Sequence, residues 1–422
     1  MADDRTIVGL DIGTSVIRAA IGEVDDEGIL HIVATASRKS AGLRNGVIVN
    51  IEDAKDAIKE TLTMAETKGG VLVNSVIASI GGSQIESQNS RGVVPIRNNS
   101  KGGSSAVTHE DIEKVIDIAT AINYPADREK IHVIPQDYLV DGVGHISDPI
   151  NRLGFKLESK VHIITASKTI IQNIKTCMDK AGYGLDGVML KTLAETQAVC
   201  HDDELELGSI VIDLGAGTTD VIVLIDGAPV STASVQVGGN LVTNDIAVVN
   251  SIPVAAAEKI KVEQGCCWAD CIQDDEDVIL PGVGGRAPEL TSKSEICKII
   301  TARMAQIFTM VIQAIIKNTS DSIKQLSGNI ILTGGGAQMQ GAVELAQEIF
   351  KTSSVRRGVP ESLGGLEEEY RKPEFATAIG LVVANKGLVT LRNSGRRSKR
   401  SSAVKSGEEK ENIFKRLRKL FF

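Results

Sequence analysis

No apolar run in the 422-residue chain approaches the roughly 20 residues that a membrane-spanning helix needs, so no segment reads as transmembrane. A signal-peptide core is also missing, since Met1-Ala-Asp-Asp-Arg5 leads straight into a predicted strand. Cysteine is scarce, and Cys177, Cys200, Cys266, Cys267, Cys271 and Cys297 form no paired framework, which points to a reducing cytoplasm. Cys266, Cys267 and Cys271 cluster, but the second ligand pair of a zinc site does not accompany them. The sequence contains no G-x-x-x-x-G-K-[ST], which excludes a P-loop at the level of motif. What remains is an ordinary soluble composition, 42% hydrophobic and 24% charged, on a chain long enough for two or more domains.

Charge is unevenly placed. The net charge is −8, yet Lys386 to Phe422 carries twelve Lys/Arg against three Asp/Glu. The rest therefore holds 34 cations against 51 anions, an acidic body with a basic end suited to an anionic surface.

One pattern occurs twice, about two hundred residues apart. The first copy runs Ile7-Val-Gly-Leu-Asp11-Ile-Gly13-Thr14-Ser15, followed by Val16 to Ile21. The second runs Ile210-Val-Ile-Asp213-Leu-Gly215-Ala-Gly217-Thr218-Thr219-Asp220, followed by Val221 to Ile225. Each predicts a β-hairpin with a polar tip: a β-branched strand ending in aspartate, a Gly/Thr turn, a second β-branched strand. Glycine admits a phosphate close to the backbone, where successive N–H groups form an anion nest. The aspartates, Asp11 and Asp213, suit the water shell of Mg²⁺. One copy alone is an ordinary surface turn; two in matching settings predict a clamp on a nucleoside triphosphate. Gly215-Ala-Gly217 resembles part of a Rossmann fingerprint, but a strand rather than a helix follows it.

Strand and helix signals alternate in both halves, which predicts two α/β lobes. A helix starting near Val47 carries Ala54, Ala57, Ile58, Thr61, Leu62 and Ala65 at helical spacing. Thr108 with Asp111 predicts a capped helix ended by Pro125, and Asn98 to Ser105 reads as a flexible loop. Further helices are predicted over Lys168–Lys180, Leu190–Cys200, Val254–Glu263, Ser294–Leu326, Gly341–Lys351 and Glu374–Asn385. Asn329 to Thr333 is a strand running into Gly334, Gly335 and Gly336, where a base or ribose could slide along bare backbone; a plain β–α turn is the simpler alternative. Glu258 and Lys261 lie three apart on one helical face, either reaching a nucleoside or forming a solvated pair.

The tail predicts a membrane contact. Arg392 to Glu411 is a polar linker, and Asn412 can cap the segment that follows. Ile413, Phe414, Leu417, Leu420 and Phe421 fall on one face of a helix; Lys415, Arg416, Arg418 and Lys419 fall on the other, and Phe422 ends it. That pattern suits an interfacial helix on anionic lipids, reversible as a single anchor and strengthened by polymerisation. A nucleic-acid tail and a helix docked back on the body are the alternatives.

Five segments together, the two hairpins, Leu190–Cys200, Gly334–Gly336 and Glu374–Ala384, resemble the actin/chaperone/sugar-kinase ATPase superfamily. The resemblance extends to its FtsA family of bacterial cell-division proteins through Val140-Asp-Gly142, Asp148-Pro149, Gly238-Gly-Asn240, Ala257–Lys261, Val283–Arg286 and the basic C-terminal helix. It implies an α/β, actin-like two-lobed fold with a duplicated core, a relocated FtsA-type subdomain and a C-terminal amphipathic helix. The implied division is 1–83 with 163–194 and 375–390 (1A), 84–162 (inserted 1C), 195–226 with 304–374 (2A), 227–303 (2B), a linker at 391–411 and a membrane helix at 412–422. Asp11, Gly13, Thr14, Ser15, Gly215, Gly217, Thr218 and Thr219 would hold the phosphates of ATP. Asp213 and Asp11 would hold Mg²⁺ through water, and Gly239, Glu258, Lys261 and Gly334 to Gly336 would cradle adenosine. The implied role is a tether that self-assembles and holds FtsZ, by its C-terminal peptide, at the cytoplasmic face of the membrane among other division proteins. Arg286 and Lys293 are the basic candidates for that acidic peptide. Glu195 departs from the small or neutral residue expected in the first connecting helix. No general base stands out, and Gln197 is the one candidate for orienting water. A small-molecule kinase or a chaperone-like ATPase of the same superfamily is the enzymatic alternative.

Overall fold

The computed structural model describes residues 5–96, 104–282, 284, 287–319 and 329–387. The predicted membrane helix at 412–422, its linker, Arg286 and most of the Asn98–Ser105 loop lie outside them.

Two five-stranded mixed sheets repeat one plan. In the first, Thr6–Ile12 and Val16–Val24 form an antiparallel hairpin, with Leu30–Lys39 continuing on the outer side. On its other side Thr6–Ile12 runs parallel to Ser75–Ile80, which runs parallel to Gly184–Leu190. In the second, Ser209–Leu214, Thr219–Ile225 and Ala228–Val235 take the antiparallel places. Asn329–Thr333 and Val355–Arg357 take the parallel ones. The duplication visible in the two motifs is thus a duplication of whole sheets.

Local chemistry sets the element ends. The helix Ile51–Gly69 begins at Ile51, later than the apolar pattern predicts, because the Asn50 side chain accepts from the Glu52 and Asp53 amides while Val47–Ile48 pairs as a short strand. Its buried residues are Ala54, Ala57, Ile58, Thr61, Leu62 and Ala65, and Gly70 ends it in the left-handed region at φ 64. His109–Thr120 starts at a capping box of Thr108 with Asp111. It packs on a separate four-stranded antiparallel sheet of Val143–Ile146, Arg128–Val140, Lys156–Ser167 and Ile85–Pro95, inserted between the strand Ser75–Ile80 and the helix Lys168–Ala181.

Two helices cross between the lobes. Lys191–Val199 is buried from Thr192 to Val199, so no amphipathic stripe marks it in the sequence. Ala376–Ala384 packs against it so closely that a Cβ on Gly380 would overlap the Ala194 carbonyl. A 3₁₀ turn, Pro373–Phe375, replaces the first turn of the helix predicted from Glu374. Lys293–Thr319 is long and apolar enough to cross a membrane by composition, but Ile296, Ile300, Met304, Ile307, Phe308, Val311 and Ile315 bury into the second lobe's core. It serves here as a core helix.

Candidate functional site

The two hairpin tips point at each other across the space between the lobes. Thr14 Oγ1 accepts from the Gly46 amide at 2.8 Å. A Cβ on Gly217 would meet that same hydroxyl and the Asn45 backbone at 2.9 and 3.0 Å, so only glycine lets the second tip approach the first. A cleft of about 520 Å³ opens beside the tips, a size typical of sites for small organic ligands.

The phosphate candidates Asp11, Gly13, Thr14 and Ser15 of the first tip and Gly215, Gly217 and Thr218 of the second line this cleft. Asp213 joins them at its floor, and Gly239, Glu258 and Lys261 line the far wall with Gly334, Gly335 and Gly336. Two expected residues do not take part. Thr219 is fully buried and donates to the Val237 carbonyl at 2.9 Å, so it fastens a neighbouring loop. Gln197 does not line the cleft, because its helix is enclosed on nearly every side. Lys293 opens the long helix outside the cleft lining, its amide donating to the Glu276 carbonyl at 2.9 Å.

The far wall is a preset polar corner. Lys261 Nζ donates to Glu258 Oε2 at 2.7 Å, to Thr243 Oγ1 at 2.9 Å and to the Gly239 carbonyl at 3.2 Å. Burial works against the Glu258 charge, but hydrogen bonds from Lys261 and Thr243 hold its pKa below the ordinary glutamate value. Gly334, at φ 78, stands so close to the floor that a Cβ would overlap Asp213 Oδ1.

At the base of the tips the two copies differ. Asp11 faces Arg18 across its hairpin, and Asp213 faces Asp220 across the other. Asp11 Oδ1 accepts from Ser79 Oγ at 2.9 Å. Asp220 accepts from the Gly82 amide at 3.2 Å and from Thr218 Oγ1 at 2.9 Å, linking the lobes. Asp213 is 1% exposed, and its Oδ2 is in contact with Lys191 Nζ, at the start of the first connecting helix. Burial alone would pull the Lys191 pKa down; the carboxylates of Asp213, Asp11, Glu195 and Asp220 hold it well above the ordinary lysine value. Glu195, one helical turn on and 0% exposed, is driven the other way: burial first, then the Asp213 charge, raise its pKa well above the ordinary range. Its Oε1 accepts from Thr377 Oγ1 at 2.6 Å.

Lys191 and Asp220 are the site residues that motif reasoning missed. Asp220 ends the second motif and could have been read from its matching position to Arg18. Lys191 sits in a helix without periodicity, and nothing local ties it to Asp213. For the Mg²⁺ expected on Asp213 and Asp11, the donor set carries a complication: the Lys191 ammonium already lies on Asp213. Among the described residues no three His, Cys, Asp or Glu are grouped to hold a metal ion directly, the cysteine cluster included.

Comparison with known proteins fits this architecture. The family described as cell division protein FtsA matches residues 210–380, and the SHS2 domain inserted in FtsA matches 82–165. A cell division protein FtsA of Borreliella burgdorferi is 42% identical over 89% of this chain and 90% of its own length. That of Pseudomonas aeruginosa is 36% identical over 98% and 97%. Among solved structures, a PilM–PilN type IV pilus biogenesis complex aligns with TM-score 0.63 and 17% identity, covering 89% of this chain and 97% of that one. MreB5 of Spiroplasma citri bound to AMPPNP aligns with TM-score 0.56 and 15% identity, covering 93% and 99%. At these identities the structural likeness concerns the fold, the actin-like ATPase fold.

Proposed function

The chain belongs to the FtsA family of cell-division proteins, and on that premise we propose that it binds ATP in the cleft between its lobes and uses the nucleotide to set the shape of a self-assembling membrane tether. The observation that carries the nucleotide reading is the meeting of two duplicated Asp-x-Gly tips over one cleft, with the bare Gly334–Gly336 backbone and the Lys261–Glu258–Thr243 corner opposite. The tips supply backbone donors for phosphates, and the corner supplies a fixed donor–acceptor set for a ribose or base. Asp11, Gly13, Thr14, Ser15, Gly215, Gly217 and Thr218 are assigned to phosphate; Gly239, Glu258, Lys261 and Gly334 to Gly336 to adenosine. Mg²⁺ on Asp213 and Asp11 through water belongs to this reading only if Lys191 yields Asp213. No base is assigned for hydrolysis; ATP serves as a conformational ligand, with at most weak ATPase activity.

The tethering half rests on the sequence of residues 412–422 and on family membership. The apolar face of Ile413, Phe414, Leu417, Leu420 and Phe421 enters the acyl region of the cytoplasmic leaflet at the division site, with the basic face on anionic headgroups. Actin-like assembly then multiplies weak anchors into a firm one. Subdomain 227–303, with Arg286 and Lys293, receives the acidic C-terminal peptide of FtsZ. Negative-stain microscopy on an anionic lipid monolayer tests the whole reading. Filaments are expected only with both ATP and lipid, and deletion of 412–422 is expected to abolish them; filaments indifferent to ATP would remove the nucleotide from the mechanism.

A further inference from the structure

Lys191 stands at an unusual place for a lysine. Its side chain is 16% exposed and separates two spaces, the large cleft and a cavity of about 30 Å³ behind the hairpin tips. From the first residue of the connecting helix its side chain reaches under the second tip, where the ammonium Nζ lies 3.7 Å from where a Cβ of Gly215 would stand and meets Asp213. This is the position where a divalent cation would have to sit to bridge Asp213 and a phosphate held by the tip. Mg²⁺ keeps several of its waters and needs more room than an ammonium, so the two cannot share that position.

The charge pattern points the same way. The first hairpin carries its own cation, Arg18, opposite Asp11. The second sets two buried acids, Asp213 and Asp220, opposite each other. Left alone, such a pair would repel a polyphosphate and call for a metal. Lys191 supplies the missing positive charge from a neighbouring element. Its ammonium has three donors, and the contact with Asp213 engages one, leaving the others for phosphate oxygens.

We propose that Lys191 is a phosphate-binding residue that takes the place of the divalent cation, so that this protein captures a nucleoside triphosphate without bound metal. The proposal rests on the ATP reading above and deepens it. The cation is tethered to the protein, so no second binding event is needed, and the triphosphate enters as the free anion.

The test is titration of ATP into the full-length protein by calorimetry, once with Mg²⁺ and once with excess EDTA. The Kd in EDTA is expected within about tenfold of the Kd with Mg²⁺. Lys191→Ala and Lys191→Met are each expected to bind at least about tenfold more weakly than the parent in EDTA, with thermal melting checking that each is folded. Weakening of the parent by about tenfold or more in EDTA overturns the proposal, as does a folded Lys191 variant that binds like the parent in EDTA. Should neither variant fold, the parent's comparison of the two buffers decides. Binding in Mg²⁺ alone removes Lys191's role and leaves the ATP reading standing; no binding in either buffer removes both.

Discussion

The two phosphate-clamp hairpins are near copies in sequence and in sheet position, yet the charges set opposite their aspartates differ. The first faces Asp11 with Arg18 and adds the Ser79 hydroxyl, all within one sheet. The second faces Asp213 with Asp220 and takes its cation from Lys191 on the crossing helix. A duplicated motif therefore fixes backbone geometry twice but electrostatics only once. Lys191 acts on Asp11 as well, but its direct contact is with Asp213, so the second hairpin leans more on the crossing helix for its charge balance.

The sharpest break of this comparison is to neutralise each aspartate in turn. Asp213→Asn leaves the Lys191 ammonium without its main partner and is expected to cost about 3–5 kcal/mol in urea unfolding, the range for removing one member of a buried ion pair. Asp11→Asn keeps an acceptor for Ser79 and is expected to cost about 1 kcal/mol. Equal losses would mean that the two hairpins are electrostatically alike after all.

The glycines that follow the matching parallel strands give the next contrast. Gly334 has φ 78 and no room on the Asp213 side, so Gly334→Ala is expected to destabilise by about 3 kcal/mol, overpacking and backbone strain combined, and to abolish ATP binding. At Gly81 a Cβ would meet Lys191 at an ordinary 3.5 Å, so Gly81→Ala is expected to change stability by less than about 1 kcal/mol. Thermal melts with and without ATP check both.

The smallest effect sharpens the role of the crossing helix. Glu195 has a folded-state pKa raised well above its unfolded value, so the native state keeps a proton that the unfolded chain releases. Its contribution is full below the unfolded pKa and is lost as pH rises toward the folded one. Glu195→Gln removes that loss while retaining an acceptor for Thr377. Its stability relative to the parent is expected to grow from about pH 5 to pH 8, by at most about 1.4 kcal/mol per unit, in denaturant melts across that range. A flat difference would show that Glu195 is ionised at neutral pH.

Much of the fold is legible residue by residue. The apolar face of Ile51–Gly69 is the set that helical spacing picks out, and Thr108 caps where its spacing to Asp111 predicts. The start of that first helix is misread because apolar spacing ignores Asn50, whose side chain holds the first free amides. Within the site, the tips and the triple glycine are read from their strand–turn settings, and both reach the cleft. Thr219 and Gln197 stay outside the cleft lining, since sequence places them in the right segments but does not say which way each side chain faces.

What the sequence by itself determined is whatever depends on neighbours along the chain: two β-branched hairpins with glycine tips and the helix caps. These follow from dihedral preference and from hydrogen bonds reaching three or four residues. Only the tertiary structure decided that Lys191 meets Asp213 and that burial raises the pKa of Glu195. Both depend on a helix crossing close enough that Gly380 admits no side chain, and on the loss of water from a space shared by two lobes. Burial and charge pairing belong to the packed arrangement, so the copy of a motif carried its shape from one lobe to the other without carrying its electrostatics.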